Sequence, residues 1–197
     1  MSQNDAVFDL IAGLGNPGPQ YEETRHNAGF WFLDELAARY QGVFRPDKQF
    51  AGEVCKVRVG SRDITLLKPA TFMNRSGQSI ASLAAYYRIP AERVLVVHDE
   101  LDLPAGSVRI KQGGGHGGHN GLRDTIARLG KDFWRIRLGI GHPGHKDEVV
   151  SYVLSRTPKN EHALIMDAIA DCLSEFERLS SGELNKAMQF LHSRKPA

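Results

Sequence analysis

Hydrophobic and polar positions along this chain follow two alternating periods. Residues 7–12 form a short apolar run that opens into Gly13-Leu-Gly-Asn-Pro-Gly18, the pattern of a strand feeding a loop. From Asn27 the period becomes helical: Phe30, Leu33, Leu36, Ala37 and Tyr40 share one face, and Gly42 is placed to end the helix. Residues 50–59 and 63–68 read as two strands joined by a tight turn at Gly60-Ser61-Arg62. A second helix carries Ile80, Leu83, Ala84 and Tyr87 and stops before Pro90. The unbroken apolar run 94–97 predicts a strand covered on both faces, and 107–112 predicts another. After the glycine-rich segment 113–118, Asn120 is placed to cap a helix bearing Leu122, Ile126 and Leu129, with Gly130 to end it. Residues 133–141 alternate as a strand. The final third is helical, with one broad apolar stripe through Leu164, Ile165, Ala168, Ile169, Cys172, Leu173, Phe176 and Leu179. Strands alternating with helices predict an α/β fold. The expectation is a single domain over 1–197, a twisted, mixed, mostly parallel sheet with helices on both faces.

Composition narrows the setting. With 197 residues, 41% hydrophobic and 24% charged, the chain is long and apolar enough for a sizeable core. No apolar run approaches the ~20 residues that span a bilayer. Residues 1–9 lack the basic start and apolar stretch of an export signal. Cys55 in a strand and Cys172 on an apolar helix face read as buried free thiols, which suits a reducing compartment and a cytoplasmic location. The net charge of +2 says little by itself. Its distribution says more: Arg109, Lys111, Arg123, Arg128, Lys131, Arg135 and Arg137 crowd one stretch. Such a stretch suits either a face for a phosphate backbone or a solvated, salt-bridged edge.

Candidate chemistry gathers at the loops. Gly13-Leu-Gly15-Asn-Pro-Gly18 matches the dinucleotide fingerprint, but Pro17 removes an amide donor there, and Pro19 with Tyr21 delays the helix. No acid ends a second strand about 20 residues on, so the glycines read as a sharp turn open to a substrate. His26 sits at a helix entry, where the positive end of the helix dipole disfavours imidazolium. That placement suits a neutral general base, and equally a plain surface histidine. Asp99, at the C-terminal end of the 94–97 strand, is placed to orient the ring, or to pair with a nearby arginine. With Glu100 and Asp102 it forms an acidic cluster in which repulsion would raise one carboxyl pKa. Asn16, Asn74 and Asn120 recur at loop junctions, where an amide serves as a turn or cap residue or binds a carbonyl without titrating. His98, Asp99, His116 and His119 invite a zinc reading, yet none of their spacings matches a zinc signature. There is no G-x-S-x-G elbow for a serine nucleophile.

Five stretches in order resemble the bacterial peptidyl-tRNA hydrolase family. They are Gly13-Leu-Gly-Asn-Pro-Gly18 with Tyr21 and Thr24-Arg-His-Asn-Ala-Gly29, Lys68-Pro69 with Phe72-Met-Asn-Arg-Ser-Gly77, His98-Asp-Glu-Leu-Asp102, Gly113-Gly-Gly-His-Gly-Gly-His-Asn-Gly121, and Gly139-Ile-Gly-His-Pro-Gly144. The resemblance spans roughly residues 8–180. It implies hydrolysis of the ester between a peptide and the 3′-terminal ribose of tRNA, with no cofactor, no metal, no membrane and no obligate protein partner, in a monomer. By the same resemblance His26 is the general base, Asp99 holds its ring, and Asn16 distinguishes a blocked amino group from a free one. Tyr21, Phe72, Asn74 and Asn120 would contact the tRNA end or the first peptide residues. Met73, His119 and the 113–118 loop would frame the cleft, and Lys111 and Arg137 would grip tRNA phosphate. The rival readings are a non-catalytic RNA-binding module and a zinc-dependent hydrolase.

Overall fold

The computed structural model describes residues 8–196. Its strands are β1 (Leu10–Gly13), β2 (Arg45–Asp47), β3 (Gly52–Val59), β4 (Arg62–Pro69), β5 (Val94–Glu100), β6 (Val108–Gln112) and β7 (Trp134–Gly139). They form one mixed sheet in the order β2-β3-β4-β1-β5-β7-β6. The central strands β4, β1, β5 and β7 run parallel, and antiparallel pairs close both edges.

Strict alternation within the central strands builds two cores, one on each face. Leu10, Ala12, Val94 and Val96 point one way, onto helices α2 (Ser76–Tyr86) and α3 (Asn120–Leu129). Ile11, Leu95 and Val97 point the other way, into a larger core. That core is covered by α1 (Ala28–Arg39), α5 (Lys159–Ser174), α6 (Phe176–Ser180) and α7 (Leu184–Ser193). The 94–97 run is apolar throughout because both of its faces are covered.

The differences from the sequence pattern have local causes. The first strand begins at Leu10, and Val7 lies outside the described residues. Helix α1 ends with Gln41 in the left-handed region (φ 58°) while Gly42 N donates to Ala37 O (2.8 Å). Gly42 is needed for packing instead, since a Cβ there would meet Cys55 Sγ at 2.4 Å. Strand β2 escaped the pattern because it is three residues long and contains Pro46, which an edge strand tolerates. A five-residue helix, α4 (Val149–Val153), is too short to show a period. The apolar stripe of the final third belongs to separate helices, broken after Ser174 and again after Ser180. Cys55 and Cys172 are buried and unpaired. No helix among the described residues is long and apolar enough to cross a membrane.

Candidate active site

The site forms where β1 ends beside β5, Gly13 paired with Val97, and β5 runs on to Glu100. Leu14 N still donates to Val97 O (3.0 Å), so the first loop leaves the sheet tight against β5. Helix α1 starts on top of this junction. A Cβ on Gly29 would meet Val97 O at 2.5 Å, and one on Gly13 would meet Gly29 O at 2.4 Å. The glycine fingerprint therefore serves close approach of helix to strand. The short turn Arg25–Asn27 just before α1 carries His26 over the end of β5.

Asp99 lies inside β5 and is 2% exposed. Its Oδ2 pairs with His26 Nδ1 at 2.9 Å and its Oδ1 with His119 Nε2 at 2.8 Å. His119 Nδ1 accepts from the backbone amides of Gly121 (3.1 Å) and Leu122 (3.4 Å), so His119 is the N-cap of α3. Asn120, expected as the cap, is instead the first helical residue. Both ring nitrogens of His119 are thus engaged. His26 is different, because its Nε2 has no hydrogen-bond partner among the described residues.

Burial opposes the charged form of His26, but the charge and hydrogen bond of Asp99 outweigh it and hold the ring above the ordinary 6.5. The expectation that the helix dipole would disfavour imidazolium is overturned by this adjacent carboxylate. Burial also opposes ionisation of Asp99, yet His26 and His119 hold it well below 3.8. Repulsion from its acidic neighbours, expected to raise a carboxyl in this cluster, does not govern Asp99. His98 turns away and sets Nδ1 2.7 Å from the Asp99 carbonyl oxygen; burial first, then the charge of His119, push it down to about 3. Of the expected metal candidates, His98 and His116 are therefore separate from the compact set His26, Asp99 and His119. That set could hold an ion, with one ligand atom from each within 4.8 Å of the others. As placed, His26 Nδ1 and His119 Nε2 each spend a hydrogen bond on a different Asp99 oxygen.

A cavity of about 300 Å³ opens above these groups. It is lined by Asn16, Tyr21, His26, Phe72, Met73, Asn74, Asp99, His119 and Asn120. These residues come from four separate stretches of the sequence. Asn16 is buried and doubly clasped: its backbone N donates to Asn27 Oδ1, and Asn27 Nδ2 donates to its carbonyl, both at 2.9 Å. Its own Oδ1 accepts from Met73 N (2.7 Å), which leaves the side-chain NH₂ as a donor. Tyr21 and Phe72 meet edge to face, and Phe72 is 60% exposed. Sequence reasoning missed Asn27, whose partner is eleven residues away, and the apolar wall of Val149, Val150, Val153 and Leu154.

Lys111 and Arg137 line an adjoining cavity of about 250 Å³ that shares Glu100 and Gly117 with the first. On the edge pair β6–β7, Lys111 faces Arg135 and Arg109 faces Arg137. Like charges directly opposed cost stability, and Glu100, 3.8 Å from Arg137, answers part of this charge. Burial, with the charges of Arg137 and Arg135, holds Lys111 below the ordinary lysine value. Arg135 leaves the expected docking face, because it is 1% exposed and donates to the carbonyls of Gly114 and Gly115. Arg128 is paired with Asp124 on the outer side of α3.

Comparison with known proteins agrees with this geometry. The family model described as peptidyl-tRNA hydrolase matches residues 10–197. The peptidyl-tRNA hydrolase of Neisseria gonorrhoeae (strain NCCP11945) is 53% identical over 189 residues, covering 95% of this chain and 98% of that one. That of Halorhodospira halophila is 53% identical over 194 residues, covering 98% and 100%. The crystal structure of the Acinetobacter baumannii peptidyl-tRNA hydrolase superposes with a TM-score of 0.95 at 46% identity, covering 98% of each chain. The chain belongs to the peptidyl-tRNA hydrolase family.

Proposed function

We propose that this chain hydrolyses the ester joining a peptide to the 3′-terminal ribose of tRNA, with His26 as the general base. The observation that carries the assignment is a cavity-lining ring held at Nδ1 by a buried carboxylate, with no hydrogen-bond partner at Nε2 among the described residues. His26 Nε2 takes a proton from water as the water oxygen attacks the ester carbonyl carbon. Asp99 stabilises the imidazolium that forms. Collapse of the tetrahedral intermediate breaks the bond to the ribose oxygen, which leaves with the proton that His26 returns. The peptide carboxylate and free tRNA are the products.

The amides divide the recognition. Asn16 presents only an NH₂ donor, which suits the carbonyl of a blocked amino group and repels a free ammonium. Asn74 is the oxyanion donor: it is exposed at the cavity, whereas the backbone N–H groups of Gly118 and His119 are taken by His116. Tyr21, Phe72 and Asn120 contact the tRNA end or the first peptide residues, and Met73 with His119 frames them. Lys111 and Arg137, which line the adjoining cavity, take a tRNA phosphate beside the cleft. This chemistry asks for no metal, and the chain acts as a cytoplasmic monomer without a protein partner.

Purified protein without added metal is expected to hydrolyse N-acetyl-aminoacyl-tRNA and to spare its unacetylated counterpart. Equal turnover of both would overturn the assignment of Asn16, and no turnover would overturn the enzyme. Activity that survives exhaustive chelation removes the zinc reading, whereas stoichiometric metal with chelator-sensitive turnover would restore it.

A further inference from the structure

One buried cation beside the catalytic turn has no part in the chemistry above. Arg25 precedes His26 and is 5% exposed. Its guanidinium makes four hydrogen bonds, none of them to the reacting groups. Nε and Nη2 donate to Glu161 Oε2 (3.0 and 2.9 Å), and Nη1 donates to Tyr152 O (2.9 Å) and Ser155 Oγ (2.6 Å). The same group lies 3.8 Å over the Tyr152 ring, whose hydroxyl donates to Ile140 O (2.7 Å). Tyr152 and Ser155 lie on or just beyond α4, the short helix that walls the cleft, and Glu161 lies in the first turn of α5 that follows it. A helix of five residues does not hold itself together. It nevertheless presents Val150 and Leu154, 69% and 40% exposed, at the cavity.

We propose that Arg25 is a positioning residue that latches the apolar cleft wall to the turn carrying His26. The grip on the peptide and the placement of the base are then set as one unit. Backbone pairing supports the latch at its edge, where Thr157 N donates to Glu23 O (2.9 Å) and Thr24 bridges Arg156. Glu161 pairs with the guanidinium at 2.9 Å, and the raised pKa of His26 has its causes in burial and Asp99 rather than in Arg25.

The inference rests on the first cavity being the peptide cleft, and its test keeps the two claims apart. Arg25→Lys, Val150→Ser and the double variant are assayed with N-acetyl-leucyl-tRNA and N-acetyl-glycyl-tRNA. Arg25→Lys is expected to raise KM for the leucyl substrate on the order of tenfold, with a smaller rise for the glycyl one and kcat within about twofold. The double variant is expected to be no worse than the worse single change, because both changes remove the same contact. The acid limb of kcat/KM is expected to stay in place. Additive losses would show that Arg25 does not act through the wall, and a moved acid limb would show that it acts on the base directly; either overturns the proposal. Glu161→Gln is expected to repeat the KM pattern at smaller size and decides the matter if Arg25→Lys does not fold. An unchanged leucyl KM in that variant overturns the latch. Wild-type turnover of both substrates, lost in His26→Ala, tests the cleft itself. Its absence removes the functional reading, whereas intact turnover with an additive cycle removes only the latch.

Discussion

The two sides of the cleft differ in how their polar groups are paired. On the side of His26, Asp99 uses both oxygens, His119 uses both nitrogens, and Asn27 clasps Asn16 by two bonds. Across the cleft, Phe72, Asn74 and Asn120 are exposed, and the side chain of Asn74 has no partner among the described residues. A base must hold one ring angle through the reaction, so its surroundings are over-determined. A surface that accepts many peptides works the other way. It leaves donors open for main-chain carbonyls to complete. Rigidity on one side and unpaired donors on the other fit the proposed reaction, in which a fixed base serves a cleft that binds main-chain groups.

The widest break in that contrast comes from His26→Ala. It is expected to cut kcat by about 10²–10⁴-fold while tRNA affinity stays unchanged. Retained turnover would dissolve the paired side as the seat of chemistry.

Asp99→Asn attacks the same side more subtly and is expected to cost about 10³-fold in kcat. An amide offers one acceptor and one donor where two rings now find two acceptors, so one histidine loses its partner. With the carboxylate gone, burial alone acts on His26 and its pKa falls from above 6.5 to below it. The acid limb of kcat/KM therefore moves to lower pH. The same linkage acts on stability: the raised pKa of His26 stabilises the fold below pH 6.5, and that gain fades as pH rises through the raised value. The stability gap between wild type and variant attributable to His26 should narrow in that direction, as urea titrations at several pH values would record.

Much of this contrast was legible in the sequence, and the omissions have one cause. Periodicity placed β1, α1, β5 and β7 because each needs only its own neighbours to reveal it. Motif matching then brought nine residues to one cavity. What it missed depends on partners remote in the chain. Arg25 meets Glu161 136 residues away and Tyr152 127 away, and nothing local marks those pairings. Cap preference alone favours Asn120 at the start of α3, and only the fold shows that His119 takes that place. Arg135 looked like its neighbours in charge, and only the fold turns it inward to the glycine loop.

The unpaired side is tested next. Asn74→Ala is expected to lower kcat by about 10²-fold with little change in KM, as an oxyanion donor requires. A rise in KM alone would make Asn74 a ground-state contact and move the donor elsewhere. Lys111→Ala and Arg137→Ala reach further out. Each should weaken tRNA binding several-fold and reduce the salt slope by about 1. An unchanged slope in both would place the phosphate on another face.

The smallest expected effect concerns what supports that outer face. Strand β6, which carries Lys111, is the sheet edge, and its Ile110 N–H donates to His192 Nε2 of α7 at 2.9 Å. Removing the acceptor leaves an edge amide without a protein partner, so His192→Ala should cost about 1 kcal/mol in urea unfolding. Burial, then the charges of Arg109 and Arg137, hold His192 below 6.5. A depressed pKa means that this contribution is complete above pH 6.5 and is lost as pH falls through the folded value. The stability deficit of His192→Ala should therefore shrink on acidification, while kcat stays at the wild-type level. A fall in kcat to match would mean that the rigidity of the paired side depends on this far edge, and the division between the two sides of the cleft would no longer hold.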